Sequence, residues 1–365
     1  MGQRDGALEG VVMNPDFWRG RRILLTGHTG FKGSWLALWL NHLGARVTGL
    51  ALPAEPDSLF VSSAVKSLLD HRVGDIRDMS VVREIVREAS PEIVFHLAAQ
   101  SLVRMSYRDP LATFATNVQG TAHILHAALE CASVRSIVVV TSDKCYANKE
   151  QREGYREGDP IGGDDPYSAS KGCAELVTHA WRTSFFNGGK VASARAGNVI
   201  GGGDWSLDRL VPDLIRGFRA GIPVQIRNPN SVRPWQYVLE PLSGYLMLAE
   251  RLWDDPSFAQ EWNFGPDEQS AVKVGHIADL AAEFWGGSAR WIQTAEESPP
   301  KETLMLQLNS DKARARLGWT PYLSLQAALE KTIDWYRRSA DHDDMAVASA
   351  AQIAEYQSLT RRKRS

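Results

Sequence analysis

The sequence predicts a doubly wound α/β fold, a parallel sheet with helices on both faces, followed by a smaller C-terminal lobe. Three observations predict it. Strand-like apolar runs alternate with helical patterns from residue 21 to about residue 200. The first run opens into a bend carrying three glycines, Gly27, Gly30 and Gly33. After "VASARAGNVIGGGDW" (191–205) the alternation weakens, and Gly, Pro and Trp become frequent.

The elements follow in order. "RRILLTG" (21–27) is a buried strand with a polar entry. "SWLALWLNHLG" (34–44) has apolar residues at helical spacing and stops at Gly44. "ARVTGLAL" (45–52) is a second strand, and "HRVGDIRD" (71–78) holds a third that ends at Gly74-Asp75. "SVVREIVREA" (80–89) is an amphipathic helix with Ser80 as its cap. "EIVFHLAA" (92–99) is the fourth strand, "TNVQGTAHILHAALECA" (116–132) a long helix, and "SIVVVTS" (136–142) the fifth strand. In the second half, 207–221 and 240–252 read as helices and 223–228 as a strand.

Bulk properties exclude several classes. A chain of 365 residues can bury a large core and suggests about two domains. The formal net charge of -2 argues against a nucleic-acid binder driven by global charge. Cys131, Cys145 and Cys173 are few, odd in number and without metal-ligand spacing, which fits a reducing cytoplasm. No metal site is expected. No apolar run is long enough to span a bilayer, and "MGQRDGALEGVV" reads as a loose tail, not a signal peptide. The basic end "RRKRS" reads as a solvated tail.

Glycine is favoured where a backbone turns sharply or approaches a ligand. A glycine bend between a strand and a helix can seat a diphosphate on the helix N-terminus, and ligands of such sheets bind beyond the carboxyl ends of the strands. The spacing here, G-x-x-G-x-x-G, differs from the best-known G-x-G-x-x-G. Together these points divide the chain into a tail (1–20), a Rossmann-type dinucleotide-binding domain (21–200), a mainly substrate-binding lobe (201–340) with segments returning to the first domain, and a C-terminal helix or tail (341–365).

The chemistry concentrates in "PYSASKGCAEL" (166–176), where Tyr167 and Lys171 stand one helical turn apart. An ammonium beside a phenol favours phenolate and is expected to lower the tyrosine pKa toward neutrality, making a base for a sugar hydroxyl. His96, after an apolar strand, reads as a satisfied core histidine. Trp205 and Trp235 read more readily as core than as ring platforms.

The glycine bend, "HLAAQ" (96–100), Asn117, "TSDKCY" (141–146) and Tyr167-x-x-x-Lys171 together resemble the extended short-chain dehydrogenase/reductases, over roughly residues 21 to 338. Within that family, "GHTGFKGSWL", "TSDKCY" with "NKE" soon after, "GGDDPYSASKGCAE" and "RAGNVIGGGDW" are most similar to the CDP-glucose 4,6-dehydratases. The resemblance implies an internally recycled NAD: carbon 4 of the glucose unit is oxidised, water leaves across carbons 5 and 6, and hydride returns to carbon 6. It implies that Tyr167 is the base, tuned by Lys171, that Ser142 bonds the same oxygen, and that Asp143 is the acid at the carbon-6 hydroxyl. Many sugar dehydratases carry Asp-Glu where this chain has Asp143-Lys144, so Lys144 reads either as the carbon-5 base or as a cation for the enolate. NAD is implied to lie on Gly27, Thr29, Gly30, Phe31, Gly33, Asp75, Ile76, Ala98, Ala99, Gln100, Tyr167 and Lys171. The substrate is implied to lie on Ser101, Asn198, Arg209 and Arg233, with Arg233 pairing with a diphosphate. Asn117 reads as architectural. The second strand is followed by no acid before Glu55 and Asp57, so it does not itself decide between NAD and NADP. A GDP- or dTDP-sugar dehydratase and a nucleotide-sugar 4-epimerase stay open. A homodimer or homotetramer is implied, with no nucleic-acid or membrane partner.

Overall fold

The computed structural model describes residues 14–151, 153–294 and 306–362. Seven parallel strands form the main sheet. Six come first in the chain: β1 (Arg22–Thr26), β2 (Arg46–Ala51), β3 (Asp70–Val73), β4 (Ile93–His96), β5 (Ser136–Val140) and β6 (Val191–Ala196). Six strands follow: β7 (Asn198–Ile200), β8 (Val224–Ile226), β9 (Val232–Tyr237), β10 (Glu261–Phe264), which returns as the seventh strand of the main sheet, β11 (Ala271–Lys273) and β12 (Trp291–Gln293). The main sheet runs β3-β2-β1-β4-β5-β6-β10, and β10 pairs parallel to β6. This is the Rossmann order with one strand added, and its reversal lies between β1 and β4. β11-β9-β7 form a second sheet, and β12 pairs with β8.

The central strands β1, β4 and β5 are mostly apolar on both faces because both faces are covered. Ile23, Leu25, Ile93, Phe95, Val138 and Val140 join one core with Trp35 and Trp39 of the helix Phe31–His42. Leu24, Val94, Ile137 and Val139 join a second core with Val82 and Ile85 of the helix Met79–Ala89 and Ile124 of the helix Gly120–Glu130.

Several local expectations change. The first helix begins at Phe31, so Gly33 lies inside its first turn. The helix Met79–Ala89 is capped by Asp78, whose carboxylate accepts from Ser80 N at 2.9 Å; Ser80 is not the cap. The helix expected over 116–132 is two pieces, a wide π-type turn Ala115–Gln119 and an α-helix Gly120–Glu130, preceded by a separate short helix Pro110–Phe114. Such turns widen a helix locally and often sit at functional sites. Residues 1–13 of the expected N-terminal tail, and 363–365 of the C-terminal one, lie outside the described residues. Pro15–Trp18 is a helical turn whose Trp18 is buried against Phe95, and Met345–Arg362 is a helix.

Candidate active site

Beyond the carboxyl ends of β1 to β6 lies a cleft of about 1230 Å³. All the site residues named from the sequence line it: the bend residues Gly27, Thr29, Gly30, Phe31 and Gly33; Asp75 and Ile76; Ala98 to Ser101; Ser142, Asp143 and Lys144; Tyr167 and Lys171; Asn198, Arg209 and Arg233. Trp235 lines it too, whereas Trp205 packs edge-on against Tyr336 at 5.0 Å.

The bend requires its glycines. Gly27 has φ +76°, and a Cβ on Gly33 would stand 2.1 Å from the Gly27 carbonyl oxygen. The helix that follows has Gly30 as its N-cap and no side-chain cap, so its first amides present partial positive charge to the cleft. An anionic diphosphate fits that cradle. Asp75, expected against an adenosine, is held by Arg77 at 2.5 Å.

The helix Pro166–Ser184 carries Tyr167 and Lys171, both buried. Asp165 caps it by accepting from Ser168 N at 2.9 Å, and Tyr167 N donates to Ser106 Oγ at 3.1 Å. Asn117 is architectural. Its amide accepts from Gln100 N at 2.8 Å and donates to Gln100 O and to Ser170 Oγ, tying the exit of β4 to this helix. His96 is buried and bonded to Thr26 and Thr121.

The Tyr167 phenol departs from expectation. Burial pushes it up to about 12; the Ser142 hydroxyl and Arg209 pull the other way. Desolvation therefore outweighs the nearby cations. Burial also lowers Lys171 to about 8, against the pull of Glu175 one turn on.

Ser142 and Asp143 are buried where β5 ends. Ser142 Oγ donates to Asp143 Oδ1 at 2.9 Å and accepts from Lys144 N at 3.2 Å. Burial raises the Asp143 carboxyl, and Lys144, Ser142 and Lys32 oppose it. Beneath this turn lies a buried ion pair. Glu175 accepts from Arg195 at 2.8 Å and from Thr141 and Ser193, while Arg195 donates to Tyr146 Oη at 2.6 Å. The loop that bears Asp143 is thus fixed from both ends.

Sequence reasoning missed Lys32 and Asp204, which both line the cleft. Lys32 faces Asp143, Lys171, Arg209 and Asp204; loss of water, then Arg209 and Lys171, lower it to about 8. A lysine at the positive end of a helix, between two bend glycines, was the available signal. Asp204, in "GGGDW", accepts from Arg209 at 3.0 Å and so aims that guanidinium, whose other nitrogen donates to Ser101 Oγ at 3.3 Å.

Residues 23–263 match the family described as "NAD dependent epimerase/dehydratase family". The chain belongs to that family. It is 48% identical over 360 residues to the CDP-glucose 4,6-dehydratase of Salmonella typhimurium, covering 96% of this chain and 100% of that protein. Among solved structures it resembles the epimerase Mth375 of Methanothermobacter thermautotrophicus, with TM-score 0.78, 23% identity, and coverage of 90% of this chain and 95% of that one. It also resembles MoeE5, solved in complex with UDP-glucuronic acid and NAD, with TM-score 0.73, 25% identity, and coverage of 87% and 99%. The family match agrees with the resemblance read from the motifs, and the structural likeness agrees with the sheet order.

Proposed function

We propose that this protein is a CDP-glucose 4,6-dehydratase, a hydro-lyase that yields CDP-4-keto-6-deoxyglucose. One observation carries the reading: near full-length identity of 48% to a protein of that activity. The cleft supports it, because a carboxyl (Asp143) and an ammonium (Lys144) lie on the same wall as Tyr167, and an epimerase has no elimination for them to perform.

NAD, when bound, supplies the acceptor that takes hydride from carbon 4 and the donor that returns it to carbon 6. The amides and glycines of the bend, with Asp75, Ile76 and Ala98 to Gln100, hold that cofactor. Arg209, Arg233, Asn198 and Ser101 hold the sugar nucleotide, the guanidiniums suiting its diphosphate. Tyr167 and Ser142 receive the carbon-4 hydroxyl, and Lys171 stands one turn behind. Asp143 delivers a proton to the carbon-6 oxygen as water leaves. Lys144 serves the carbon-5 position.

We place the enzyme in the cytoplasm and in deoxysugar supply for lipopolysaccharide O-antigen. We also read it as a homodimer or homotetramer joined through the helices around Tyr167, where Leu111 and Leu176 are exposed. No helix among the described residues is long and apolar enough to cross a membrane.

Incubation with a panel of sugar nucleotides tests the reading. CDP-glucose should lose one water by mass and gain a 4-keto group, with no net NADH. Unchanged CDP-glucose beside turnover of a GDP- or dTDP-sugar overturns the substrate; a 4-epimer without loss of water overturns the reaction.

A further inference from the structure

The turn that carries Asp143 and Lys144 is too short to hold its own place. It is one three-residue turn, Asp143–Cys145, with Ser142 at its N-cap and Tyr146 at its C-cap. Its backbone bonds are long: Cys145 N donates to Ser142 O at 3.2 Å, and Tyr146 N to Asp143 O at 3.4 Å. Where the turn sits in the cleft therefore depends on what grips its two ends.

One buried ion pair grips both. At the entry, Thr141 Oγ1 donates to Glu175 Oε1. At the exit, Arg195 Nη1 donates to Tyr146 Oη at 2.6 Å, and that hydroxyl gives its own hydrogen to Asn263 Oδ1 at 2.8 Å. Arg195 Nη2 donates to Glu175 Oε2 at 2.8 Å, which closes the ring. Arg195 and Asn263 are register partners on β6 and β10, so adjacent strands of the main sheet hold the one hydroxyl. The exit is also paired by backbone, Gly162 N to Cys145 O at 2.8 Å and Ala147 N to Pro160 O at 2.9 Å. That pairing joins one loop to another; the Tyr146 hydroxyl joins the exit to the sheet. Glu175, Arg195 and Asn263 are buried and stand outside the cleft lining, so they reach the reaction through the turn and not by touching substrate.

The two ends serve different chemistry. The entry bears Ser142, which receives the carbon-4 hydroxyl with Tyr167. The exit follows Lys144, which serves carbon 5. We infer that Arg195 and Tyr146 are positioning residues for the elimination half of the reaction: the guanidinium, braced on Glu175, holds the Tyr146 hydroxyl and with it the exit of the Asp143–Lys144 turn. A guanidinium suits this task because its rigid fork serves two partners at once. Thr141, on the other arm of Glu175, holds the entry and so supports both halves. Glu175 belongs to the helix that carries Tyr167, so one ion pair sets the oxidising and eliminating groups relative to each other.

This inference rests on the dehydratase reading, and single-turnover measurements with CDP-glucose and NAD separate the two. Nicotinamide reduction is followed by stopped-flow absorbance, and loss of water by quenched mass analysis. Tyr146→Phe removes the hydroxyl and keeps the ring. It should reduce nicotinamide at the wild-type rate and lose water about tenfold or more slowly, because a small displacement at a reacting group is costly. NADH should then accumulate beside a 4-keto sugar that still holds its carbon-6 hydroxyl. KM for CDP-glucose should not move, since Arg209 and Arg233 lie on other elements. Arg195→Lys, whose single ammonium lacks the fork, should give the same partition, and it carries the test if Tyr146→Phe does not fold. Thr141→Val frees the entry instead and should slow nicotinamide reduction as well. If Tyr146→Phe and Arg195→Lys lose water at the wild-type rate, the inference is overturned. If they slow reduction and loss of water equally, the ion pair supports the whole cleft and the inference is again overturned. Either result leaves the dehydratase reading standing so long as the wild-type protein dehydrates CDP-glucose. A wild-type protein that does not dehydrate it overturns that reading and this inference with it.

Discussion

Asp143 stands against Gly197: a Cβ at residue 197 would lie 2.8 Å from Asp143 Oδ2. The carboxyl is the far end of a side chain, so it would swing aside at little cost to the fold. Its bond to Ser142 would be lost in doing so. Gly197→Ala should therefore fold normally and lose activity. A displacement of about 1 Å at a reacting group can cost on the order of a hundredfold in rate. The checking measurement is kcat with CDP-glucose beside a thermal melt. A loss of kcat with an unchanged Tm is expected; full kcat would take the Asp143 carboxyl out of the chemistry.

Gly33 presents a different obstacle. Its missing Cβ would meet the backbone of residue 27, at 2.1 Å from the carbonyl oxygen and 2.7 Å from the carbonyl carbon. Backbone cannot rotate away as a carboxyl can. Gly33→Ala must open the bend, which moves the first amides of the helix Phe31–His42 away from any diphosphate they hold. NAD titration by fluorescence should show an affinity at least tenfold weaker, a loss of about 1.4 kcal/mol. The melt should fall too, because the same helix carries the buried Trp35 and Trp39. Wild-type affinity in this variant would mean that the cofactor does not rest on the bend.

Much of the frame was legible because it is local. β1, β4 and β5 are short apolar runs ended by turn or polar residues, and both faces of each are buried. The bend and the Tyr167 helix announce themselves by glycine and by one-turn spacing. What escaped depends on distance along the chain. Asp204 lies far in sequence from Ser101, which it reaches through Arg209, and Lys32 lies over a hundred positions from Asp143; only the fold brings them together. The break at Ala115–Gln119 escaped because apolar spacing continues through it, while Asn117 is tied sideways to Gln100 and Ser170. The Tyr167 phenol was misjudged because spacing reveals the neighbouring ammonium but not the loss of water around the ring.

Stability in acid should follow two buried histidines. Burial holds His96 down to about 3 and His28 down to about 4, the latter helped by His71, to which its Nε2 is bonded at 2.7 Å. Both are neutral in the folded protein, whereas in the unfolded chain they bind protons from about pH 6.5 downward. The unfolded state therefore holds more protons below that pH, and stability falls as pH drops through the window from 6.5 to 4 and 3. Glu250 works the other way. Burial raises it to about 7 from 4.5, so the folded state gains over the unfolded one as pH falls from 7 to 4.5. The opposing slopes partly cancel above pH 4.5, and the histidines act alone below it until ordinary carboxylates titrate. Melts of the wild-type protein should thus decline gently from pH 7 to 4.5 and steeply below. Replacing Glu250 by Gln removes the counterweight, so its Tm should begin falling near pH 6.5. A Glu250→Gln protein whose Tm holds level from pH 6.5 to 4.5 would show that His28 and His96 accept protons without unfolding the chain.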